Sequence, residues 1–429
     1  MKHIHITQQI LRPSIAGVLL AVLAMPAAAV DLKTADGSWT FSIDGNVNVD
    51  YIFSSCQSPS SAVAVVGGLT CVGSASGSNV SNVGNGLLPA AFSFGVATTQ
   101  EGYDLAAHLG LYPGIATNDG GSPNLQANRG NGSSNTALGT TGLDIRQVYM
   151  TFGNKAMGTF TLGRNIGLFA ADVILNDMTL PGVGGPGSAA SPAPTNTTLG
   201  GIGLGYIYTD WLAQMDYTTP DLSGFSVTAG IFDPINSLSD AGAVQPKKAP
   251  GVHAKVSYTM PISEATKLYL SATFLTQKQN YQVGVPAAPY SYTGRGEDIF
   301  VKLDVQDWEV FGYYYHAEGL GTTALFNLGA FGLGETRTSK GYLLQTTYKF
   351  GPLKLGVNYG ESKLDFANGA DQLANPGLVS SNRKGTVGVY YSLTKALTLL
   401  AEASRTKSEA HFGGSNDATT VNVGAYLGF

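Results

Sequence analysis

Charge is what this chain has least of. Asp, Glu, Lys and Arg make up 12% of its 429 residues, about half of the roughly 25% usual in soluble globular proteins. A soluble domain of this size would carry more. Long apolar runs are missing too: beyond the N-terminus no stretch approaches 18 apolar residues, so no transmembrane helix is expected. The mean hydropathy of +0.06 is far below that of a helical membrane protein. The 24 basic residues form no block that would hold a phosphate backbone, so nucleic acid is not an expected partner. The six histidines lack metal-ligand spacing, and no Ser/His/Asp order suggests a catalytic triad. Neither a metal, a cofactor nor an enzymatic reaction is expected. Cysteine is nearly absent as well.

What is present is alternation. From Trp39 to Phe53, Trp39, Phe41, Ile43, Val47, Val49, Tyr51 and Phe53 are apolar, with Gly45 in the gap. Between them stand Thr40, Ser42, Asp44, Asn46, Asn48 and Asp50. Period-two alternation makes a strand with one oily and one wet face. Globular strands run about 5–6 residues, whereas a tilted strand of about 9–11 residues crosses a bilayer. A wall between lipid and water satisfies both the low charge and the neutral hydropathy.

The N-terminus has the layout of a secretory signal: Lys2 and Arg12, a short apolar core from Ile15 to Met25, and Ala27-Ala28-Ala29 as an A-x-A site. Cleavage is expected after Ala29, leaving residues 30–429 as a single barrel domain. Removing Lys2 and Arg12 leaves 22 basic against 29 acidic residues, a net charge of −7. After export, Cys56 and Cys71, fifteen residues apart, can close a disulfide. Loop-closure entropy puts such a bridge at about 3 kcal/mol. The alternative is two unpaired thiols.

Alternating runs of the same kind recur along the chain. They are Ala91–Thr99, Tyr103–Leu111, Asp144–Phe152, Thr159–Arg164, Trp211–Tyr217, Phe225–Phe232, Val252–Met260 and Lys267–Thr276. Then come Asp298–Asp304, Trp308–His316, Gly341–Phe350, Leu353–Tyr359, Gly385–Leu393, Leu397–Ser404 and Thr419–Phe429. With the first, that makes sixteen. Short turns and long polar connections alternate strictly between them. An even number of antiparallel strands with short turns at one end and long loops at the other is an up-and-down transmembrane β-barrel. Charges within strands fall on the parity opposite to the apolar residues, as Lys302 does beside Val301 and Leu303, and belong in a watery lumen.

Particular segments resemble a known family. Asp144 to Asn165, D-I-R-Q-V-Y-M-T-F-G-N-K-A-M-G-T-F-T-L-G-R-N, resembles the fourth and fifth strands of Gram-negative general porins, most sharply in G-T-F-T-L-G-R-N-I-G. Met215 to Phe225, M-D-Y-T-T-P-D-L-S-G-F, is similar to that family's next periplasmic turn. The terminal Phe429, with apolar residues at every second position before it, resembles the insertion signal read by the barrel-assembly machinery. The resemblance implies a homotrimeric 16-stranded porin among outer-membrane lipids. It also implies an inward-folded third loop, and a basic cluster on the wall facing acidic residues on that loop.

On this chain the inward loop would be residues 165–205, whose Leu168, Phe169, Val173, Ile174 and Leu175 are too apolar to wave in water. Asp172 and Asp177 are its candidate acids. A Pro/Gly/Ala/Thr-rich stretch replaces the family's Pro-Glu-Phe-Gly-Gly, and Gly182 to Gly187 matches a nucleotide-fold glycine pattern but reads as loop. For the basic wall the candidates are Arg164, Arg146, Lys255 and Lys302. Lys255, Lys302 and His253 have lumen parity. Arg164 shares parity with Phe160 and Leu162 and needs Gly163 to bend the strand inward; Arg146 shares parity with Val148 and Met150. The expected function is passive diffusion of small hydrophilic solutes and ions. The rivals are a channel specific for an organic acid or sugar, and a barrel serving as adhesin or enzyme.

Overall fold

The computed structural model describes residues 30–61, 64–70, 79–115, 143–185, 197–236, 248–281 and 290–429. The expected signal segment, its cleavage point at Ala29, and Cys71 lie outside the described residues. In chain order the elements are β1 (Val30–Lys33), β2 (Trp39–Cys56), β3 (Asn79–Gly84), β4 (Ala91–Gln100), β5 (Tyr103–Pro113), β6 (Leu143–Asn154) and β7 (Gly158–Ile166). Helix α1 (Ala171–Asn176) leads to β8 (Trp211–Thr218), β9 (Phe225–Phe232), β10 (Gly251–Ser263), β11 (Thr266–Tyr281), β12 (Tyr290–Val305) and β13 (Trp308–Glu318). The small hairpin β14 (Ala330–Phe331) and β15 (Glu335–Thr336) precedes β16 (Thr338–Phe350) and β17 (Leu353–Leu364). Helix α2 (Gly369–Ala374), β18 (Val379–Ser392), β19 (Leu397–Ala410) and β20 (Ser415–Gly428) complete the chain.

Without the short β1, β3, β14 and β15, sixteen antiparallel strands each pair with their chain neighbour, and β20 pairs back on β2. The sheet closes into a barrel. Its faces follow the expected parity. In β19, Leu399, Ala401, Ala403 and Arg405 are exposed while Thr398, Glu402, Ser404 and Thr406 are buried. Buried polar and exposed apolar is the reverse of a soluble sandwich and fits lipid outside, lumen inside. Many strands run further than the expected segments; β11 and β12 reach 16 residues each.

The seam has a form the alternation did not suggest. One edge of β2 is shared by β4, from Trp39↔Thr98 to Asn46↔Ala91, and by β3, from Asp50↔Gly84 to Ser55↔Asn79. Between β3 and β4 the chain leaves the wall at residues 85–90 and steps into the lumen. The inward asparagines of β2 take over the lost ladder. Asn46 Nδ2 donates to the Pro89 carbonyl at 3.0 Å, Asn48 Nδ2 donates to the Leu88 carbonyl at 2.6 Å, and Asn48 Oδ1 accepts from the Gly86 amide at 2.8 Å. The other edge of β2 is shared by β20 and β1. Gly45 and Phe429 exchange both main-chain hydrogen bonds, at 2.9 and 3.0 Å, and the Phe429 ring lies 5.5 Å from that of Phe92.

Candidate functional site

The described parts of the connection between β7 and β8, residues 167–185 and 197–210, run through the barrel interior. Phe169, Val173, Ile174, Leu180, Ile202 and Tyr206 are buried there, in one cluster with the inward-facing Phe300, Phe311, Tyr313, Tyr315 and Leu343 of β12, β13 and β16. Apolar loop residues thus meet an apolar patch on a mostly polar inner wall, and burial near 25 cal/mol per Å² holds them there. The step between β3 and β4 supports the loop from the opposite side. The Leu87 amide donates to Gly182 O at 2.6 Å and the Leu88 amide to Leu180 O at 3.0 Å.

Wall carboxylates and amides take up the loop's free backbone groups. Helix α1 has no side-chain cap at Ala170; its Ala170 amide instead donates to Asp298 Oδ2 of β12 at 2.7 Å. The Met178 amide donates to Gln345 Oε1 at 2.8 Å. Further along, the Val183 and Gly184 amides both donate to Glu402 Oε2 at 2.8 Å, and Tyr390 donates to its Oε1 at 2.7 Å. Lys384 Nζ, almost wholly buried, donates to the Gly184 carbonyl at 3.0 Å. One glycine therefore has an anion on its amide and a cation on its carbonyl. Gly184 has φ +62°, open to glycine at no steric cost, and a Cβ at Gly182 would run into the Glu402 carboxylate. The glycine pattern is a docking site for wall side chains. Parity marks Glu402 and Lys384 as inward, but nothing in the sequence names their partner some 200 residues away.

The structure brings Lys255 and Asp172 together. Lys255 Nζ of β10 lies 2.5 Å from Asp172 Oδ1, while Tyr269 and Ser271 of β11 donate to Asp172 Oδ2 at 2.9 and 2.6 Å. The two charged side chains keep 19% and 15% of their surface exposed, so water reaches the pair. Lys302 is also inward: its Nζ donates to Asn176 Oδ1 at 3.0 Å and pairs with Glu309 at 2.6 Å. His253 is buried against Asp216 at 2.7 Å.

Arg146 enters the lumen by a bulge. The β5–β6 register shifts between Gly110 and Leu111, so Arg146 and Gln147 both turn inward while Ile145 and Val148 stay out. Its guanidinium pairs with Asp144 at 3.1 Å and lies over the Tyr112 ring. Arg164 differs from expectation. Gly163 is distorted, with φ +125°, yet Arg164 stays in register with Val148 and Ala213, both exposed on the outer face. The glycine bends the strand without exchanging its faces. Asp177 also sits differently, spending its carboxylate on fold: Oδ1 accepts from Thr179 and Asn358, and Oδ2 accepts from Tyr206 at 2.9 Å. Cys56 is buried at the end of β2, and its expected partner Cys71 lies outside the described residues.

The connections after β13 and β17 also pack inward. Leu320, Leu325 and Phe326, between β13 and β16, join the interior cluster. Arg337 grips Asp371 of α2 through Nε and Nη2, both at 2.7 Å, with both side chains buried. Burial works against the Asp371 charge, but Arg337, the Ala367 amide and Asn375 outweigh it and hold the carboxyl below its ordinary range.

Residues 16–411 match the family profile described as Gram-negative porin. Among solved structures, the outer membrane channel DcaP of Acinetobacter baumannii superposes with a TM-score of 0.66 at 16% identity, over 93% of this chain and 99% of that one. The anion-selective porin from Comamonas acidovorans gives 0.55 at 13%, over 91% and 100%. The trimer form of OmpT, an outer membrane protein of Vibrio cholerae, gives 0.53 at 13%, again over 91% and 100%. No curated protein matches the chain by sequence.

Proposed function

Because the chain belongs to the Gram-negative porin family, and is an outer-membrane diffusion channel, we propose that the inward loop forms its constriction. The latch of Asp172 to Lys255, Tyr269 and Ser271 carries this reading: a charge pair with one edge in water holds the loop against the wall where a passing ion would feel both charges. Lys302 with Glu309, and Arg146 with Asp144, add further inward charge pairs. Arg164 is left out of the filter because its register partners face outward.

The solutes are small and hydrophilic, and the work is passage rather than reaction. The tight packing of Phe300, Tyr313 and Tyr315 against the loop supports a second, narrower reading, a channel selective for one class of metabolite.

A homotrimer is part of the proposal. Strands β7, β8 and β9 have only 9, 8 and 8 residues. At about 2.5 Å of height per tilted residue they rise roughly 20 Å, short of the about 25 Å apolar band. A neighbouring copy would cover that low wall, and the OmpT trimer form supports the assembly. Export through cleavage after Ala29, a Cys56–Cys71 bridge, and insertion directed by Phe429 complete the reading.

Single-channel recording in planar bilayers tests it. Three equal conductance steps per insertion, unblocked by solutes, are expected of a general trimeric pore. A small current blocked by one metabolite would replace it with the selective channel, and absence of channels would overturn both.

A further inference from the structure

The connection between β2 and β4 touches the inward loop at two places, and closing the wall requires neither. Residues 64–70 lie on the inner face of β18 and β19, near the long-connection ends of those strands. There Asn382 Oδ1 accepts from the Leu69 amide at 3.1 Å, and Asn382 Nδ2 donates to the Gly67 carbonyl at 3.0 Å. Ser408 Oγ accepts from the Leu69 and Thr70 amides, both at 3.0 Å, and donates to Asn382 Oδ1 at 2.6 Å. The main chain adds two bonds, from the Val66 amide to Gly377 O at 2.8 Å and from the Val379 amide to Val66 O at 2.9 Å. So held, Leu69 fills a notch at Gly203 of the inward loop; a Cβ on Gly203 would collide with its Cδ1.

The second place is the step at residues 85–90, where wall, step and loop form three layers. On one side the step hangs from Asn46 and Asn48 of β2. On the other, besides the bonds from Leu87 and Leu88, Gly86 O accepts from the Thr198 amide at 3.0 Å and Leu87 O accepts from the Thr197 hydroxyl. Gly86 lies so close to the loop that a Cβ there would collide with the Gly182 carbonyl. To make the step, β2 forgoes ladder partners on that edge between Asn46 and Asp50, among the described residues. Unpaired backbone groups inside a barrel are costly. The step recovers its bonds from two asparagines and from the inward loop.

We propose that Asn48, Asn382 and Ser408 are positioning residues of the constriction. All three are buried on the inner wall. They seat the β2–β4 connection on the inward loop from across the barrel, opposite Lys255 of β10. The loop is thereby held between this connection and the wall from β10 to β16, and two connections pressed together set the width of the passage. None of the three residues touches the Asp172–Lys255 pair; they act through Gly182, Thr198 and Gly203. The inference rests on the inward loop being the constriction.

Channel width tests it. Full-length parent and variants would be inserted in planar bilayers, and single-channel conductance read with neutral polyethylene glycols of graded size in the bath. Asn48→Ala, and Asn382→Ala with Ser408→Ala, should each raise the conductance and admit larger polymers than the parent. Leu69→Ala, which empties the notch and leaves the wall hydrogen bonds in place, should do the same. In Asn48→Ala the Thr198 amide should exchange about tenfold faster, the loss of one hydrogen bond. Ser54→Ala lies on the same strand and loses only its bond to Thr420 of the wall, so conductance and polymer cut-off should stay at parent values. An unchanged cut-off in the Asn48, Asn382/Ser408 and Leu69 variants, or an equal rise in Ser54→Ala, would overturn the proposal with the constriction intact. A reversal potential unmoved by Asp172→Asn would overturn the constriction itself, and this proposal with it.

Discussion

Asp172→Asn should turn the channel toward anions, and Lys255→Met toward cations, by similar amounts. The pair is mostly buried but keeps an edge in water, and it sits where the loop meets the wall, so each substitution uncovers one unit of charge. A unit charge about 5 Å from a passing ion contributes about 0.8 kcal/mol in water. Screening at 0.1 M salt, with a Debye length of about 10 Å, leaves about 0.5 kcal/mol. Cations and anions feel it with opposite sign, so the cation-to-anion permeability ratio moves by about 1 kcal/mol, roughly fivefold. The assay is reversal potential in a salt gradient across a planar bilayer. The double variant removes both charges and should return to within about twofold of the parent. Asn also gives up a charge-assisted bond of about 1.5–3 kcal/mol, so amide protection in α1 should fall while the rest of the loop holds. Unchanged reversal potentials in both single variants, or a double variant as shifted as either, would refute the placement of this pair beside the ion path.

Glu402→Gln removes the charge that receives the Val183 and Gly184 amides, at about 1.5–3 kcal/mol for each charge-assisted bond, and leaves buried Lys384 with Asp177 as its remaining counter-charge. Noisier open-channel current and a lower melting temperature are expected; an unaltered trace and melt would count against the anchor. Arg337→Met strands the Asp371 carboxylate, and exchange protection across residues 365–378 should drop by a similar free energy. Since the folded pKa of Asp371 is lowered, its contribution is complete above its unfolded value, near 4, and disappears as pH falls through the folded one. The Arg337–Asp371 contact should therefore loosen only below about pH 4, and loosening already at pH 6 would contradict the pairing. Non-reducing peptide mapping should recover Cys56 joined to Cys71; two alkylated free thiols would exclude the bridge.

The wall was legible in the sequence because a membrane barrel writes its two solvents into every strand. The positions of the long connections were legible for the same reason. Parity put Lys255 and Lys302 inward, where their contacts with the loop place them, but it misread Arg146, and the inward bend expected for Arg164 did not occur. At Arg146 the bulge opposite Gly110 and Leu111 adds a residue, and no residue type announces it. At Arg164 a strained glycine gives no exchange of faces, because the β6 ladder reaches Arg164 without a register shift and the β8 ladder runs unshifted to Ile166. The contacts that hold the loop join residues far apart in the chain: Glu402 with Gly184, Asp298 with Ala170. Each residue shows its inward parity in the sequence, but the pairing is tertiary. Leu87-Leu88-Pro89, an apolar pair before a proline outside any alternating run, was the one local hint of the inward step.

The seam at β2 has a consequence for how the chain must fold. Its 18-residue strand is the first of the sixteen to leave the secretion channel, yet the partner of its upper edge is the last. Ser54 waits for Thr420, 366 residues away. Contacts of such separation are the slowest to form, since the entropy of closing the intervening chain is lost before any bond is gained. Until then the upper half of β2 is an open strand edge that any other extended chain can join. A nascent barrel of this design therefore needs something to occupy that edge in the periplasm, and truncation before β20 would leave the edge open for good.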